Sequence, residues 1–318
     1  MTTDTSKDIL QKFIFDNAAV RGELVEISNA WREIQSRHDY PKAVKGLLGE
    51  MVAASALLSA NLKFNGSIVM QIFGDGPVKL LVVECDAELH LRATAKLSAG
   101  AVVPDQASVA ELLNVGGQGR FVITLDPKDK VPGQQPYQGV VPLHGENIAT
   151  VIENYMLRSE QMDTKLWLAA DDNVARGLLL QKLPRHSAGE GQVAQATEEE
   201  DMETWNRALA LGGTLKREEL LSVDVPTLLK RLFWEETIRV FDPLNPEFRC
   251  TCSREKVGNM LKMLGRDEVE SALHDLGQLA INCDFCGKHY EFDAVDCAQL
   301  FAADTTADAI APASDVKH

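Results

Sequence analysis

The 318-residue chain carries 47 acidic against 32 basic side chains, for a formal net charge of −15 and a pI near 4.9. A phosphate backbone would be repelled rather than gathered, so nucleic acid is not an expected partner. At 45% hydrophobic and 25% charged, the composition is that of a globular protein with a sizeable core and one or two smaller units, which excludes a disordered chain. The start of the sequence lacks a basic and then apolar leader, and no apolar run approaches membrane-spanning length, so a cytoplasmic protein with no membrane partner is expected.

In chain order, a polar lead is followed by a strand over 20–27, and Ser28 is placed to cap a helix running to about His38. Pro41 stands in the first turn of a clearer helix, in which Val44, Leu47, Leu48, Met51, Ser55 and Leu58 recur at three- and four-residue spacings. That apolar or small-residue face is expected to pack on a sheet. Strands follow at 68–73, 78–85 and 88–97, a sequential antiparallel meander whose first turn is Gly74-Asp75-Gly76-Pro77. Further strands are read at 120–125, 138–143, 165–170 and 175–182, with a helix over 147–159. Strands in runs, without βαβ alternation, predict an α+β class: an N-terminal core domain of antiparallel sheet and helix over 1–187.

From Ala188 the composition turns small and polar, then acidic. Thr197 and Glu200 form a capping box for a helix with Met202, Trp205 and Leu209 as a narrow apolar stripe, ended by Gly212-Gly213. A second helix follows Pro226 and carries Leu228, Leu229, Leu232, Phe233 and Trp234. These helices cannot bury their stripes completely against each other, so 188–245 is expected to be a metastable helical linker leaning on the first domain. Residues 246–300 are read as a small C-terminal zinc-binding module, which helps to hold the linker. The Ala-, Asp- and Thr-rich 301–318 is read as a disordered tail.

Four of the six cysteines lie in that module, as Cys250-Thr-Cys252 and Cys283-Asp-Phe-Cys286. The thirty residues between them allow a helix and a return, so the pairs can meet as two halves of one tetrahedral thiolate site. Gly287-Lys288 and Tyr290 give the second half the character of a zinc knuckle. In a reducing compartment, clustered cysteines favour a metal or redox site over a disulfide framework. The expected cofactor is one Zn2+ per chain on Cys250, Cys252, Cys283 and Cys286. A knuckle usually separates its thiolates by about two to four residues, whereas Cys250 and Cys252 are near enough to bond to each other. A disulfide across a single residue is strained and labile, which suits a switch, and each pair can close on itself. Arg249, Arg254, Lys256 and Lys288 add positive charge nearby. Structural zinc contributes on the order of 10–16 kcal/mol and a module of roughly 50 residues has little core of its own, so losing the metal should unfold it.

Other motifs carry less. Val115-Gly116-Gly117-Gln118-Gly119 precedes a strand and lacks Gly-Lys-Ser/Thr, so it is read as a turn and not a phosphate loop. Ser159-Glu160-Gln161 ends a helix without a nucleophile elbow. His38 is read as a turn residue and His289 as exposed or just outside the thiolates. Cys297 is a candidate fifth thiol, and Cys85, in an apolar strand, is inert core.

The segments Val20-Arg-Gly-Glu-Leu-Val25, His38-Asp-Tyr-Pro41, Leu62-Lys-Phe64 with Gly74-Asp-Gly-Pro77, Tyr137-Gln-Gly-Val-Val141, Arg158-Ser-Glu-Gln161, Phe248-Arg-Cys-Thr-Cys-Ser-Arg254 and Cys283-Asp-Phe-Cys-Gly287 carry a resemblance. Through them the chain resembles, over nearly its whole length, the redox-regulated bacterial chaperone family, the thirty-three-kilodalton heat-shock protein. Cys297 and an N-terminal extension depart from the family pattern. The resemblance implies an ATP-independent holdase, inactive when reduced and zinc-bound. Oxidation would release zinc and form Cys250–Cys252 and Cys283–Cys286 disulfides; the linker would unfold, and a homodimer would capture unfolding client proteins under oxidative stress. Such a protein works by thiol oxidation without turnover: it is not an enzyme and has no catalytic residues. The expected client surface is apolar area on the first domain's sheet and on 188–245. Two competing readings are a thiol-disulfide oxidoreductase using Cys283 and Cys286, which lacks the usual βαβ context, and a zinc-folded adaptor.

Overall fold

The computed structural model describes residues 8–16, 18–129, 136–184 and 197–305. The chain divides into two compact units after Arg249. The first unit opens with β1 (Ile9–Phe15), β2 (Val20–Ile27), α1 (Asn29–Gln35) and α2 (Lys42–Ser59). The meander β3 (Gly66–Phe73), β4 (Val78–Asp86) and β5 (His90–Leu97) follows, then α3 (Val109–Leu113), β6 (Arg120–Pro127) and β7 (Tyr137–Pro142). Next come α4 (Ile148–Ser159), β8 (Thr164–Ala170) and β9 (Ala175–Lys182), then α5 (Glu198–Gly212), α6 (Arg217–Ser222) and α7 (Val225–Phe233), and the short β10 (Ile238–Val240) and β11 (Glu247–Phe248). The α+β class is as expected.

The strands form two sheets, β10-β1-β2-β9-β8 and β11-β5-β4-β3-β6-β7. All pairs are antiparallel except β11 on β5. The apolar face read on α2 packs as predicted, and the helix is buried well beyond it: Val44, Leu48, Met51, Val52, Ala53 and Leu57 share one core with the inner faces of both sheets. Gly49 is required for that approach, since a Cβ there would lie 2.4 Å from the Ala170 methyl.

The five-stranded sheet is covered on its other face as well. Phe13, Phe15, Leu24, Leu178 and Leu180 project into a second core with Trp205 of α5, Leu220 of α6 and Leu228, Leu229, Leu232 and Phe233 of α7. Strand β9 is therefore buried over its first seven residues. The Phe13 ring lies on Gly22 of β2 and 5.3 Å from the Phe233 ring. The predicted capping box is present, with the Thr197 side chain accepting from Glu200 N–H, and Asp224 caps α7. Asp201, buried on α5, accepts from the Ala19 N–H at 2.9 Å and ties the helix to the turn before β2.

Several expectations need correction. The polar lead contains β1, an interior strand of its sheet. The expected leaning of the linker helices on the first domain is not among these: α5 to α7 pack on its sheet, β10 pairs with β1 and β11 pairs with β5, and 197–249 fall in the same compact unit as the core. Met202 and Trp234 are exposed, so the helices bury narrower faces than their apolar content suggested. The side chain of Ser28 caps nothing at α1; the carboxylate of Asp8 accepts from the Ser28, Asn29 and Ala30 N–H groups at 2.7 Å each. The start of the linker, 188–196, lies outside the described residues.

The second unit comprises α8 (Arg254–Leu264), α9 (Arg266–Leu276), the hairpin β12 (Leu279–Asn282) with β13 (His289–Phe292), and α10 (Ala294–Thr305). Gly265 and Gly277, both with positive φ, bound α9 and let the chain reverse. The core is small: Leu261, Val269, Leu279, Tyr290, Phe292 and Cys297. Helix α10 runs past the expected module boundary at 300; 306–318 of the predicted tail lie outside the described residues.

Candidate metal centre

Two local structures deliver the four sulfurs. Cys250 and Cys252 lie just before α8, whose N-cap is Ser253, with its hydroxyl accepting from the Lys256 N–H at 3.2 Å. The knuckle occupies the loop between β12 and β13, where Asn282 opposes His289. Cys283 N–H donates to Lys288 C=O at 2.9 Å, and Gly287 N–H donates to Cys283 C=O at 2.8 Å. Gly287 takes φ +72°, the left-handed conformation that closes such a turn cheaply only with glycine. Tyr290 and Phe292 alternate inward on β13, beneath the loop.

The structure brings together all four cysteines named from the sequence. Their Sγ atoms lie within 4.8 Å of one another. Cys250 Sγ is 3.7 Å from Cys283 Sγ, and Cys252 Sγ is 3.4 Å from Cys286 Sγ, so contacts join the two halves of the motif. A tetrahedral centre with metal–sulfur bonds of about 2.3 Å has sulfur–sulfur edges of about 3.8 Å, whereas a disulfide needs about 2.05 Å. All six cysteines are thiols. Burial, then the neighbouring thiols, push Cys286 up to about 12, although the Lys288 N–H pulls it down. Four thiolates therefore need a cation among them, and a dication suits this soft donor set.

The Tyr290 hydroxyl donates to Cys252 Sγ at 3.1 Å. That bond and burial hold the phenol above its ordinary range. This contact depends on the hairpin register and had no sequence signal beyond an aromatic after the knuckle. His289 is exposed and engaged elsewhere, Nδ1 with Asn282 at 2.6 Å and Nε2 with Glu291 at 3.2 Å. Cys297, on α10, is buried in the small core and is not among the clustered sulfurs, so it is not a fifth ligand here. Cys85 is fully buried, and burial pushes its thiol up to about 12.

Two of the four nearby cations are engaged away from the sulfurs. Arg254 stacks on Phe292 at 4.3 Å, donates to Glu291 C=O at 2.7 Å and pairs with Asp296 at 2.7 Å. Arg249 donates to His90 Nε2 at 3.2 Å. The glycine-rich 115–119 is a turn, as expected: the Asp75 carboxylate accepts from Gly116 and Gln118 N–H. A second acidic group, Asp86, Glu88 and His90, also lies within 4.8 Å. Lys128 Nζ fills it, 3.3 Å from Asp86 and 3.5 Å from Glu88. No described helix is long and apolar enough to cross a membrane.

The sequence matches the model of the Hsp33 protein family over residues 8–293. It is 45% identical over 312 residues to the 33 kDa chaperonin of Methylobacillus flagellatus, covering 98% of this chain and 99% of that one. It is 46% identical over 313 residues to the 33 kDa chaperonin of Chromobacterium violaceum, covering 98% of each. A solved structure, the 33 kDa chaperonin (heat shock protein 33 homolog) of Thermotoga maritima, superposes with a TM-score of 0.74 at 21% identity, covering 94% of this chain and 99% of that one. At that identity the likeness speaks to fold.

Proposed function

Because the chain belongs to the Hsp33 chaperone family, we propose that it is a redox-controlled, ATP-independent holdase. The observation that carries the proposal is the cluster of four thiol sulfurs within 4.8 Å, in a unit with six residues in its buried core. Zinc, when bound, would supply the charge that keeps Cys250, Cys252, Cys283 and Cys286 together as thiolates. A peroxide can then take two electrons from each pair: the two sulfurs join, and with two protons the peroxide leaves as two waters. Two equivalents convert the site to Cys250–Cys252 and Cys283–Cys286 disulfides and withdraw all four donors. The Cys283–Cys286 bond forms first, since two intervening residues close it more easily; mapped disulfides in a stopped oxidation with Cys250–Cys252 leading would refute that order.

Without its metal the second unit has too little core to stay folded. The client surface is the apolar face shared by the five-stranded sheet and α5 to α7. Undocking of those helices uncovers Phe13, Phe15, Leu178 and Leu180 on one side and Trp205 and Phe233 on the other, which matches the apolar segments of an unfolding client. The oxidised chain acts as a homodimer in the cytoplasm, with unfolded proteins as partners and without turnover. The position of Cys283 and Cys286 in a hairpin loop, away from a helix N-terminus, supports a switch over an oxidoreductase pair.

The test is light scattering by a chemically unfolded client in the presence of zinc-loaded reduced protein or peroxide-treated protein, with a chelating dye reporting released zinc. Suppression of aggregation only after zinc release is expected. Equal behaviour in both states would reduce the four thiolates to a structural clamp.

A further inference from the structure

A pocket of about 190 Å3 lies in the first unit between its two sheets, at the C-terminal end of α2. Its walls are mostly apolar: Ile68, Ile123 and Leu125 from the six-stranded sheet, and Met156 and Met162 from α4 and the segment after it. An engineered apolar cavity of about 150 Å3 accommodates benzene, so this one has room for a ring with a small substituent.

Its polar end is built. Gln181 of β9 is 1% exposed. Its Nε2 donates to Thr164 Oγ1 at 2.7 Å, which orients Oε1 to accept from Arg21 Nε at 3.0 Å and from Arg21 Nη2. Arg21 is thereby held against the pocket, while its Nη1 makes no hydrogen bond with a described residue. No carboxylate of a described residue pairs with this guanidinium. Its electrostatic neighbour Glu23 is fully buried and accepts from Asn61 with one oxygen, leaving the other without a partner. The other charged group in the lining, Glu160, accepts from the Tyr155 hydroxyl at 2.9 Å. A desolvated arginine with an open N–H edge at one end of an apolar pocket recognises an anion attached to an apolar body.

We propose that this pocket binds a small amphipathic carboxylate, with the carboxylate on Arg21 and an aryl or branched alkyl group between Met156, Met162 and Ile123. The same chemistry is offered by a free acid and by the C-terminal residue of a peptide ending in an apolar side chain. The pocket belongs to the first unit and the four clustered cysteines to the second, and the proposal is independent of the redox reading.

The experiment uses the full reduced chain with methyl-labelled methionine and titrates phenylacetate against the isosteric neutral phenylacetamide. Phenylacetate is expected to shift the Met156 and Met162 methyl signals and to bind about tenfold or more tightly than the amide, as a charge-assisted contact should. The substitution Arg21→Met is expected to erase that preference while retaining weak binding of the amide. A peptide ending in Gly-Phe distinguishes the sources. Tighter binding than phenylacetate, lost on C-terminal amidation, identifies a peptide terminus; weaker binding identifies a free acid. Shifts confined to other methyls, equal affinity for acid and amide, or an unchanged preference in a folded Arg21→Met protein would overturn the proposal. If that variant does not fold, the wild-type comparison and methyl shifts still decide.

Discussion

Glu50 of α2 shows how one half-buried carboxyl sets a pH dependence. Burial pushes its pKa from 4.5 to about 7, with Arg217 of α6 pulling the other way. The folded state thus holds a proton that the unfolded chain releases near 4.5, so Glu50 costs nothing below that value, costs increasing stability as pH rises from there to about 7, and costs a constant amount above it. Replacing Glu50 by Gln should stabilise the first unit by about 1–2 kcal/mol at pH 8 and by little at pH 4.5. Urea unfolding at both pH values checks this, and an equal difference at the two would contradict it. At the metal centre the comparable test is Tyr290→Phe, which keeps the buried ring and removes the hydroxyl bonded to Cys252. Zinc affinity should fall about tenfold or more, measured by competition with a chelating dye; unchanged affinity would make the bond incidental. The clustering of the four cysteines was legible because cysteine at that spacing has few other uses. Tyr290, Asn282 and Arg254 take their roles from the β12–β13 register and from α10, which local sequence does not encode.

At the scale of the elements, polar ties at several points dock α5 and α6 on the sheet: Asp201 accepts from the Ala19 N–H, Arg176 donates to the Leu220 and Val223 carbonyls and Arg217 to the Ala170 carbonyl. Asp201→Ala would leave the Ala19 N–H buried without its acceptor, a cost of about 1–3 kcal/mol concentrated where α5 meets the sheet. The variant should be cut faster by trypsin within 207–231 and should suppress client aggregation partly without oxidant. Wild-type cleavage rates would show that docking does not rest on this contact. Long periodic elements such as α2 and β2 were legible to within a residue or two. Strand β1 was not, because Gln11 and Lys12 interrupt its alternation and Lys12 turns its amine to the Ala60 carbonyl at 2.7 Å. Strands β10 and β11, at three and two residues, are shorter than any period can reveal. Strand β9 was legible as a strand over 175–182, but its burial on both faces was not, since what covers the second face lies in residues read as a linker.

For the molecule as a whole, thiol accessibility separates the two units. With metal bound, the ligands should resist a maleimide reagent. After chelation the second unit should lose structure and expose five thiols, Cys297 with the four ligands, while Cys85 remains unlabelled in a first unit that stays folded. Mass spectrometry counts the adducts: four would show that the small core around Cys297 survives without metal, and six that the first unit fails with the second.

The double burial of β9 also bears on how the protein is made. Translation proceeds from the N-terminus at roughly 5–20 residues per second, so about 3–10 s separate completion of that strand from completion of α7. During that interval the nascent sheet presents Phe13, Phe15, Leu178 and Leu180 to the crowded surroundings of the ribosome, and β1 waits for the β10 segment still to come. Each copy of this chaperone is, for some seconds midway through its own synthesis, in the position of a client.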